Sequence, residues 1–285
     1  MEIRKITIEA GASAPFKLLH MTDNHISLAD ERDNERKREL ADRRANAFTG
    51  GRPHRLRERT EELLAYVRES GYPLIHTGDM IDFTSEANFD YARRALDGID
   101  VMMAAGNHEY SQYVGEAWED EAYKAQSRDS VVRTFSEGIL FGERVIGGVK
   151  IITLDNNYYY ITEPLFEKVK NALSDGMPAI LAVHTPLYSA DMYEQVMAGK
   201  SADAPPYLFA CPEERMRGLD VGRARQQIPN ELSKEFLRFC ENCPNLKAVL
   251  AGHLHKFFAS KLDSGIPQYT SGGACCSEIN EYTIL

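Results

Sequence analysis

The chain has 285 residues, of which 43% are hydrophobic and 27% charged, and its formal net charge is −10 at pH 7. This composition is ordinary for a soluble globular protein, and the length suits one large domain, 1–285, with insertions. The acidic balance argues against a general nucleic-acid binder, which would carry a basic surface, so nucleic acid is not an expected partner.

The sequence also predicts a cytoplasmic protein without a membrane anchor. No stretch approaches the 18 apolar residues of a membrane span. The first residues, MEIRKITIEA, lack the apolar core of a signal peptide. Five cysteines, an odd number, fit free thiols in a reducing compartment. Cys240 and Cys243 have the spacing of half a zinc site, but no second pair has suitable spacing.

Short apolar runs predict buried strands along the whole chain. After a first strand in MEIRKITIE, the runs are FKLLHM, PLIHT, VMMAA, AILAV and KAVLA. Helical periodicity is typical of EELLAYVRES, 86–97, TEPLFEKVKNALSDGMP and ELSKEFLRFCENC. VIGGVKIITLDN predicts a strand–turn–strand, and the tail PQYTSGGACCSEINEYTIL suggests closing strands. Alternating strands and helices of this kind indicate an α/β fold.

Each of the five later apolar runs is followed within two residues by Asp, Asn or His. The motifs are Asp23-x-His25, Gly78-Asp79-x-x-Asp82, Gly106-Asn107-His108-Glu109, the single His184, and Gly252-His253-x-His255. Strands that end in such residues at one rim of a sheet bring metal ligands together from distant segments. One of these motifs alone is mostly chance, whereas five in one chain indicate a metal site.

The residue types suit two ions. Asp23 and His25 are two apart, so in an extended chain their side chains share one face, and the same holds for His253 and His255. Asp79 follows a glycine that permits a tight turn, and the two oxygens of its carboxylate can bridge two ions.

The donor set also limits the choice of metal. Asn107 adds a neutral oxygen to the carboxylates and imidazoles, and the motifs contain no thiolate. A mixed nitrogen and oxygen set favours Mn, Fe or Zn, with Mg possible, over a cysteine-based structural zinc site.

These five blocks, in this order, resemble the calcineurin-like metallophosphoesterase superfamily. The resemblance extends from Asp23 to His255. It implies a metallo-dependent phosphatase-like fold, a four-layer α-β-β-α sandwich in which two mixed β-sheets are flanked by helices. It also implies a centre of two divalent or trivalent ions at the ends of the strands.

The resemblance further implies a role for each motif residue. The first ion would be held by Asp23, His25, Asp79 and His255. The second would be held by Asp79, Asn107, His184 and His253. Asp79 would therefore bridge the two ions.

The implied reaction is hydrolysis of a phosphomonoester or phosphodiester of a small molecule by a hydroxide that bridges the metals. His108 matches the catalytic histidine that is not a ligand, and it would protonate the leaving oxygen. Asp82 matches the residue that orients this histidine. The small phosphorylated substrate is the predicted partner, and the oligomeric state is left open.

Two departures narrow the subfamily. Phe83 follows Asp82 where Ser/Thr phosphoprotein phosphatases have Arg, which argues against that branch. Purple acid phosphatases carry a tyrosine ligand at the position of Asp82, so a tyrosinate-bound ferric ion is not expected. No ligand position is lost, which disfavours a scaffold protein without turnover.

Two segments have an open interpretation. Residues 29–62 are dense in both charges, and they predict either a solvated helix pair or a lid that follows His25. In the lid interpretation Arg52, His54 or Arg55 would meet the substrate phosphate. Residues 186–228 show few regular signals and could also overhang the site.

Three alternatives stay open beside the leading interpretation. A cyclic-nucleotide phosphodiesterase and a nuclease share the motifs, although the acidic charge disfavours the nuclease. A metal-binding scaffold without turnover belongs to a different class. His20 and His76 each lie three residues before a predicted ligand, and we expect them to be buried and hydrogen-bonded rather than ligating.

Overall fold

The computed structural model describes residues 1–45, 47–48, 55–114, 120–201, 204–216 and 225–285. Eleven strands lie in these ranges: β1 Glu2–Ile8, β2 Phe16–Met21, β3 Leu74–His76, β4 Val101–Met103, β5 Phe141–Ile146, β6 Val149–Leu154, β7 Ala179–Val183, β8 Leu246–Ala251, β9 Ala259–Lys261, β10 Pro267–Thr270 and β11 Glu278–Ile284. The α-helices described are α1 Glu35–Ala45, α2 Arg55–Ser70, α3 Glu86–Leu96, α4 Glu121–Ala125, α5 Arg128–Phe135, α6 Glu163–Leu173, α7 Ala190–Met197 and α8 Glu231–Glu241.

The strands form two mixed sheets. The first sheet has the order β1-β11-β2-β3-β4, in which β2, β3 and β4 are parallel and β11 runs antiparallel to β2. The second sheet has the order β5-β6-β7-β8-β10-β9, in which β6, β7, β8 and β10 are parallel. The outer strands β5 and β9 pair antiparallel with their neighbours.

Alternation along the strands explains why the sheets stack. In β7, Ile180 and Ala182 belong to an apolar cluster shared by both sheets, whereas Leu181 and Val183 face the cluster beneath α6, α7 and α8. Leu18 and Leu19 divide in the same way between the intersheet cluster and the cluster under α2 and α3. Each sheet is therefore covered on both faces, which confirms the predicted four-layer α-β-β-α sandwich.

Helix α7 was not predicted from the sequence. It begins after Ser189, whose hydroxyl accepts the Met192 N–H at 3.1 Å as an N-cap. Its eight residues lie inside the segment 186–228, where prolines and tyrosines on either side obscure the short helical pattern. None of the described helices is long and apolar enough to cross a membrane.

Candidate metal centre

The polar motifs occupy loops at the carboxyl ends of β2, β3, β4, β7 and β8, as the sequence predicts. These strands are parallel neighbours within their sheets, so their ends meet at one rim, where sites in α/β sheets usually lie. The seven predicted ligands and the two predicted catalytic side chains come together there: Asp23, His25, Asp79, Asp82, Asn107, His108, His184, His253 and His255.

The spacing argument for the two paired motifs was right about proximity and wrong about the backbone. Asp23 and His25 have φ values of 56° and 51°, and His253 and His255 have 69° and 51°. These residues are left-handed rather than extended, at a cost of about 1–3 kcal/mol each. Backbone hydrogen bonds of 2.9 Å from Asp23 and His25 to the loop after β3 help to hold them.

Two glycines let the loops after β3 and β4 touch. A Cβ atom on Gly78, whose φ is 94°, would lie 2.2 Å from the Gly106 nitrogen. A Cβ atom on Gly106 would lie 2.1 Å from the Asp79 Oδ1 atom. Only residues without a side chain fit here, so these glycines place the Asp79 carboxylate beside the loop that carries Asn107.

The first group of candidate ligands contains Asp23, His25, Asp79 and His255, whose donor atoms all lie within 4.8 Å of one another. The Nε2 atoms of His25 and His255 are 2.9 Å apart. Asp23 Oδ1 lies 3.3 Å from His255 Nε2, and Asp79 Oδ2 lies 3.7 Å from His25 Nε2. This group is the set predicted for the first ion.

The second group contains Asp79, His184 and His253, again within 4.8 Å of one another. His184 Nε2 lies 3.3 Å from Asp79 Oδ2 and 3.1 Å from both His253 Nδ1 and Asn107 Oδ1. Asp79 belongs to both groups. The structure thus brings together the four residues predicted for the second ion, and Asp79 is common to both groups.

The chemistry of these donors fits positive ions. His184 Nδ1 donates to the Thr77 carbonyl at 2.6 Å, so Nε2 of the neutral ring presents a lone pair to the oxygens of Asp79 and Asn107. Asp23 Oδ1 is buried without a hydrogen-bond partner. Lone pairs that face one another in a buried site are unfavourable until a cation lies between them. The residues present therefore fit a metal centre.

Protons compete for the same lone pairs. Burial lowers the pKa of His184, but the charges of Asp79 and Asp23 outweigh burial and raise this pKa to about 9. Burial and the neighbouring His184 lower the pKa of His253 to about 3. Without a metal ion, His184 is therefore charged and the neighbouring His253 is neutral. A metal ion that binds here must displace the proton of His184.

Asp82 contacts two histidines rather than the one predicted. Its Oδ1 atom lies 3.1 Å from His108 Nδ1 and 3.0 Å from His25 Nδ1, and His108 Nδ1 also donates to the Asp82 carbonyl at 2.6 Å. Burial raises the pKa of the Asp82 carboxyl, but hydrogen bonds from Arg44, His108 and His25 hold it well below its usual range. Burial lowers the pKa of His108, yet Asp79 and Asp82 raise it to about 10.

Glu109 belongs to a recognised motif, but the sequence assigned it no role. Its buried carboxylate accepts the backbone N–H groups of Asp79 and Met80 at 2.8 Å, Gly106 at 2.6 Å and Ile81 at 3.3 Å. It therefore joins the loops after β3 and β4. Burial and the Asp79 charge raise its pKa to about 7.

Three other side chains at the site were missed. The Tyr159 hydroxyl lies 2.9 Å from His253 Nε2, and the Tyr158 hydroxyl donates to the Asn107 carbonyl at 3.0 Å. Arg44, near the end of α1, donates to the Asp82 carboxylate. All three come from segments distant in sequence from their partners, so only the folded chain reveals them.

A cavity of about 310 Å³ opens over the centre. The described residues that line it are His25, Arg44, Phe48, Asp79, Asn107, His108, Ser111, Val114, Tyr158, Tyr159, Thr185, Tyr207, Gln226, Gln227, His253 and His255. Both segments with an open interpretation reach it, 29–62 through Arg44 and Phe48, and 186–228 through Tyr207 and the two glutamines.

Among the described residues, none that was predicted to bind the substrate phosphate lines the cavity. Arg52 and His54 lie outside the described residues. Arg55 begins α2 and is not among the described residues that line the cavity. Among the described residues of the segment, Arg44 is the basic residue that lines the cavity.

The expectation that His20 and His76 are buried and hydrogen-bonded is confirmed. His20 and His76 are fully buried. His20 Nε2 lies 2.8 Å from Thr77 Oγ1, and His76 Nε2 lies 2.8 Å from Asn24 Oδ1. Burial lowers the pKa of His20 to about 3 and that of His76 to about 4, so both rings are neutral structural groups.

The cysteines are free thiols, as expected. This holds for all five residues, including Cys240 and Cys243. Within the described parts of the chain, no group of candidate metal ligands contains a cysteine.

Comparison with known proteins agrees with this geometry. The chain belongs to the calcineurin-like phosphoesterase family, which it matches over residues 16–257. It is therefore a metal-dependent hydrolase of phosphoester bonds, and the family and the clustered side chains together indicate a dimetal centre. None of the curated proteins compared with the chain matches it.

Several solved structures are similar to this chain. A dimetal phosphatase from Danio rerio is 13% identical with a TM-score of 0.54, over 91% of this chain and 88% of that one. A phosphopantetheinyl hydrolase from Mycobacterium tuberculosis is 14% identical with a TM-score of 0.45, over 90% of each chain. A putative 5'-nucleotidase from Staphylococcus aureus is 10% identical with a TM-score of 0.47, and the chain covers 49% of it. At 13% identity the first likeness concerns the fold alone, and the other two carry no argument.

Proposed function

We propose that this protein hydrolyses a phosphomonoester or phosphodiester of a small molecule at two metal ions held by the seven candidate ligands. The observation that carries the proposal is the pair of ligand groups that share Asp79. Carboxylate, imidazole and amide donors suit Mn, Fe or Zn, with Mg possible. When bound, such ions supply positive charge that activates water and neutralises phosphoryl oxygens.

His108 is the proposed proton donor to the leaving oxygen. Its Nδ1 atom is engaged by Asp82, so Nε2 is the atom that can exchange a proton with a substrate in the cavity. The raised pKa keeps the ring charged at neutral pH, as a general acid requires. Asp82 orients the ring, and it holds His25 in the same way.

The cavity supports a small substrate. Its volume of about 310 Å³ lies at the lower end of the range for small-molecule sites. The wall combines aromatic rings such as Phe48 and Tyr207 with amides such as Gln227. A net charge of −10 disfavours a polynucleotide, so a nuclease is the weaker alternative.

The test is hydrolysis of para-nitrophenyl phosphate and bis-para-nitrophenyl phosphate by metal-stripped protein, with Mn²⁺, Zn²⁺, Fe²⁺ or Mg²⁺ added back. We expect metal to restore turnover, and the preferred ester to separate a phosphatase from a phosphodiesterase. Asp79→Asn should abolish turnover, because it removes the charge shared by both ions. Asp129→Asn, at an exposed position in α5, is the matched control and should behave as wild type.

A metal-binding scaffold is the alternative outcome. Protein that binds two ions per chain but hydrolyses neither ester, nor a panel of natural phosphoesters, would contradict the proposal. Equal turnover by wild type and Asp79→Asn would also contradict it, because the ions would then not be held as described.

A further inference from the structure

The charged segment docks on the residue that follows Asp82. Phe83 is fully buried, and it packs in a small apolar cluster with Leu40 and Ala41 of α1, which are 3% and 7% exposed. These two are the buried residues of an otherwise polar helix. Phe83 lies at the position where Ser/Thr phosphoprotein phosphatases have Arg. In this protein that position thus provides an apolar contact for α1.

Hydrogen bonds fix the same segment to the loop and helix that follow Phe83. The Glu86 N–H donates to Asp33 Oδ1 at 3.0 Å, and Lys37 Nζ lies 3.3 Å from the Thr84 hydroxyl. The Ser85 hydroxyl donates to the Leu28 carbonyl at 2.6 Å. Apolar packing and these polar contacts together determine where α1 lies.

In this position α1 presents Arg44 to the Asp82 carboxylate. Arg44 Nε lies 2.6 Å from Oδ2, and a terminal nitrogen lies 2.9 Å from Oδ1. This is a bidentate pair, which fixes the plane of the carboxylate as well as its charge. The Arg44 side chain is 20% exposed and that of Asp82 is fully buried, so solvent screens the pair only weakly.

The carboxylate that Arg44 holds is the one that orients two site histidines. Oδ1 of Asp82 faces Nδ1 of both His25 and His108. The segment also contacts the site through Phe48, whose ring stacks on His25 with centroids 4.4 Å apart. Without Arg44, the buried Asp82 carboxylate behind the rings of His25 and His108 would be less restricted in its rotamer.

We propose that Arg44 is a positioning residue, which acts through Asp82 to aim His25 at the first ion and His108 at the substrate. The proposal rests on the proposed function for the role of His108. Through Arg44, the charged segment would then contribute to the function of the metal centre instead of being a solvated insertion. Arg44 need not touch the substrate for this effect.

The test compares Arg44→Gln and Arg44→Lys with Arg43→Gln, a matched control at the exposed neighbouring position. We expect Arg44→Gln to lower kcat by about 10–100-fold with little change in KM, and to weaken Mn²⁺ binding to metal-stripped protein in calorimetry by a similar factor. Arg44→Lys keeps the charge but loses the planar fork, so it should recover part of both. Arg43→Gln should match wild type.

A double variant distinguishes action through Asp82 from independent action. If Arg44 works through the carboxylate, adding Arg44→Gln to Asp82→Asn should lower kcat and Mn²⁺ affinity no further than Asp82→Asn alone. Multiplying effects would overturn the proposal. So would an Arg44→Gln protein whose KM rises at least about tenfold at unchanged kcat, because that pattern indicates direct substrate contact.

Calorimetry of Mn²⁺ binding tests the positioning role of Arg44 independently of the proposed function. If wild type hydrolyses no ester, the proposed function fails, and calorimetry still decides on Arg44. Arg44→Gln protein that binds Mn²⁺ as tightly as Arg43→Gln would overturn the positioning role. Weaker binding that Arg44→Lys partly restores would support it.

Discussion

The two sheets bring different chemistry to the metal centre. All three oxygen donors, Asp23, Asp79 and Asn107, follow strands of the first sheet. The loops of the second sheet contribute imidazoles alone, from His184 and from the His253 loop. The negative charge that attracts the ions therefore lies on one side, and bound ions would link the two sheets at their common rim.

The two sides also differ in how their side chains are held. Glu109 and Asp82 brace the first-sheet loops, and each carboxylate accepts several hydrogen bonds. For His184 and His253 of the second sheet, the described residues offer one hydrogen-bond partner to the ring nitrogen that faces away from the centre, the Thr77 carbonyl and the Tyr159 hydroxyl respectively. We expect substitutions on the first side to cost more, and three variants test that order.

His108→Asn should have the largest effect of the three. It removes the proposed proton donor of the first side, so kcat should fall by roughly 10²–10⁴-fold. Two Mn²⁺ ions per chain should still bind, because His108 lies outside the ligand groups of Asp79. Steady-state kinetics measures kcat, and elemental analysis measures the bound Mn²⁺. Loss of metal together with activity would show that His108 is a ligand.

Glu109→Gln should have an intermediate effect. The amide accepts through one oxygen, so the loops that carry Asp79 and Gly106 lose part of their link. We expect Mn²⁺ affinity to fall by about 10–100-fold in calorimetry. Glu137→Gln, at an exposed position, is the control. Wild-type affinity in both proteins would contradict the bracing role.

Tyr159→Phe should have the smallest effect, because it removes one hydrogen bond from the second side. A loss of about 1 kcal/mol corresponds to roughly fivefold weaker Mn²⁺ binding. Tyr160→Phe is a matched control, since its hydroxyl donates to Glu121 at 2.7 Å instead of contacting a site histidine. An effect larger than that of Glu109→Gln would reverse the proposed order of the two sides.

The sequence predicted which side chains meet at the centre because each motif closely follows a strand, and the ends of neighbouring parallel strands share a rim. It could not predict the left-handed backbone of Asp23 or His253, which depends on contacts between loops. The same limit applies to Arg44 and Tyr159, whose partners lie 38 and 94 residues away. Spacing along the chain carries no record of such contacts.

The most direct test of the account is a crystal structure grown with Mn²⁺, with anomalous difference maps recorded at the manganese edge. The account predicts two peaks about 3.5–4 Å apart, with Asp79 between them and imidazoles of the second sheet bound to both. A single peak, or two peaks bound by first-sheet residues alone, would contradict a dimetal centre assembled from both sheets.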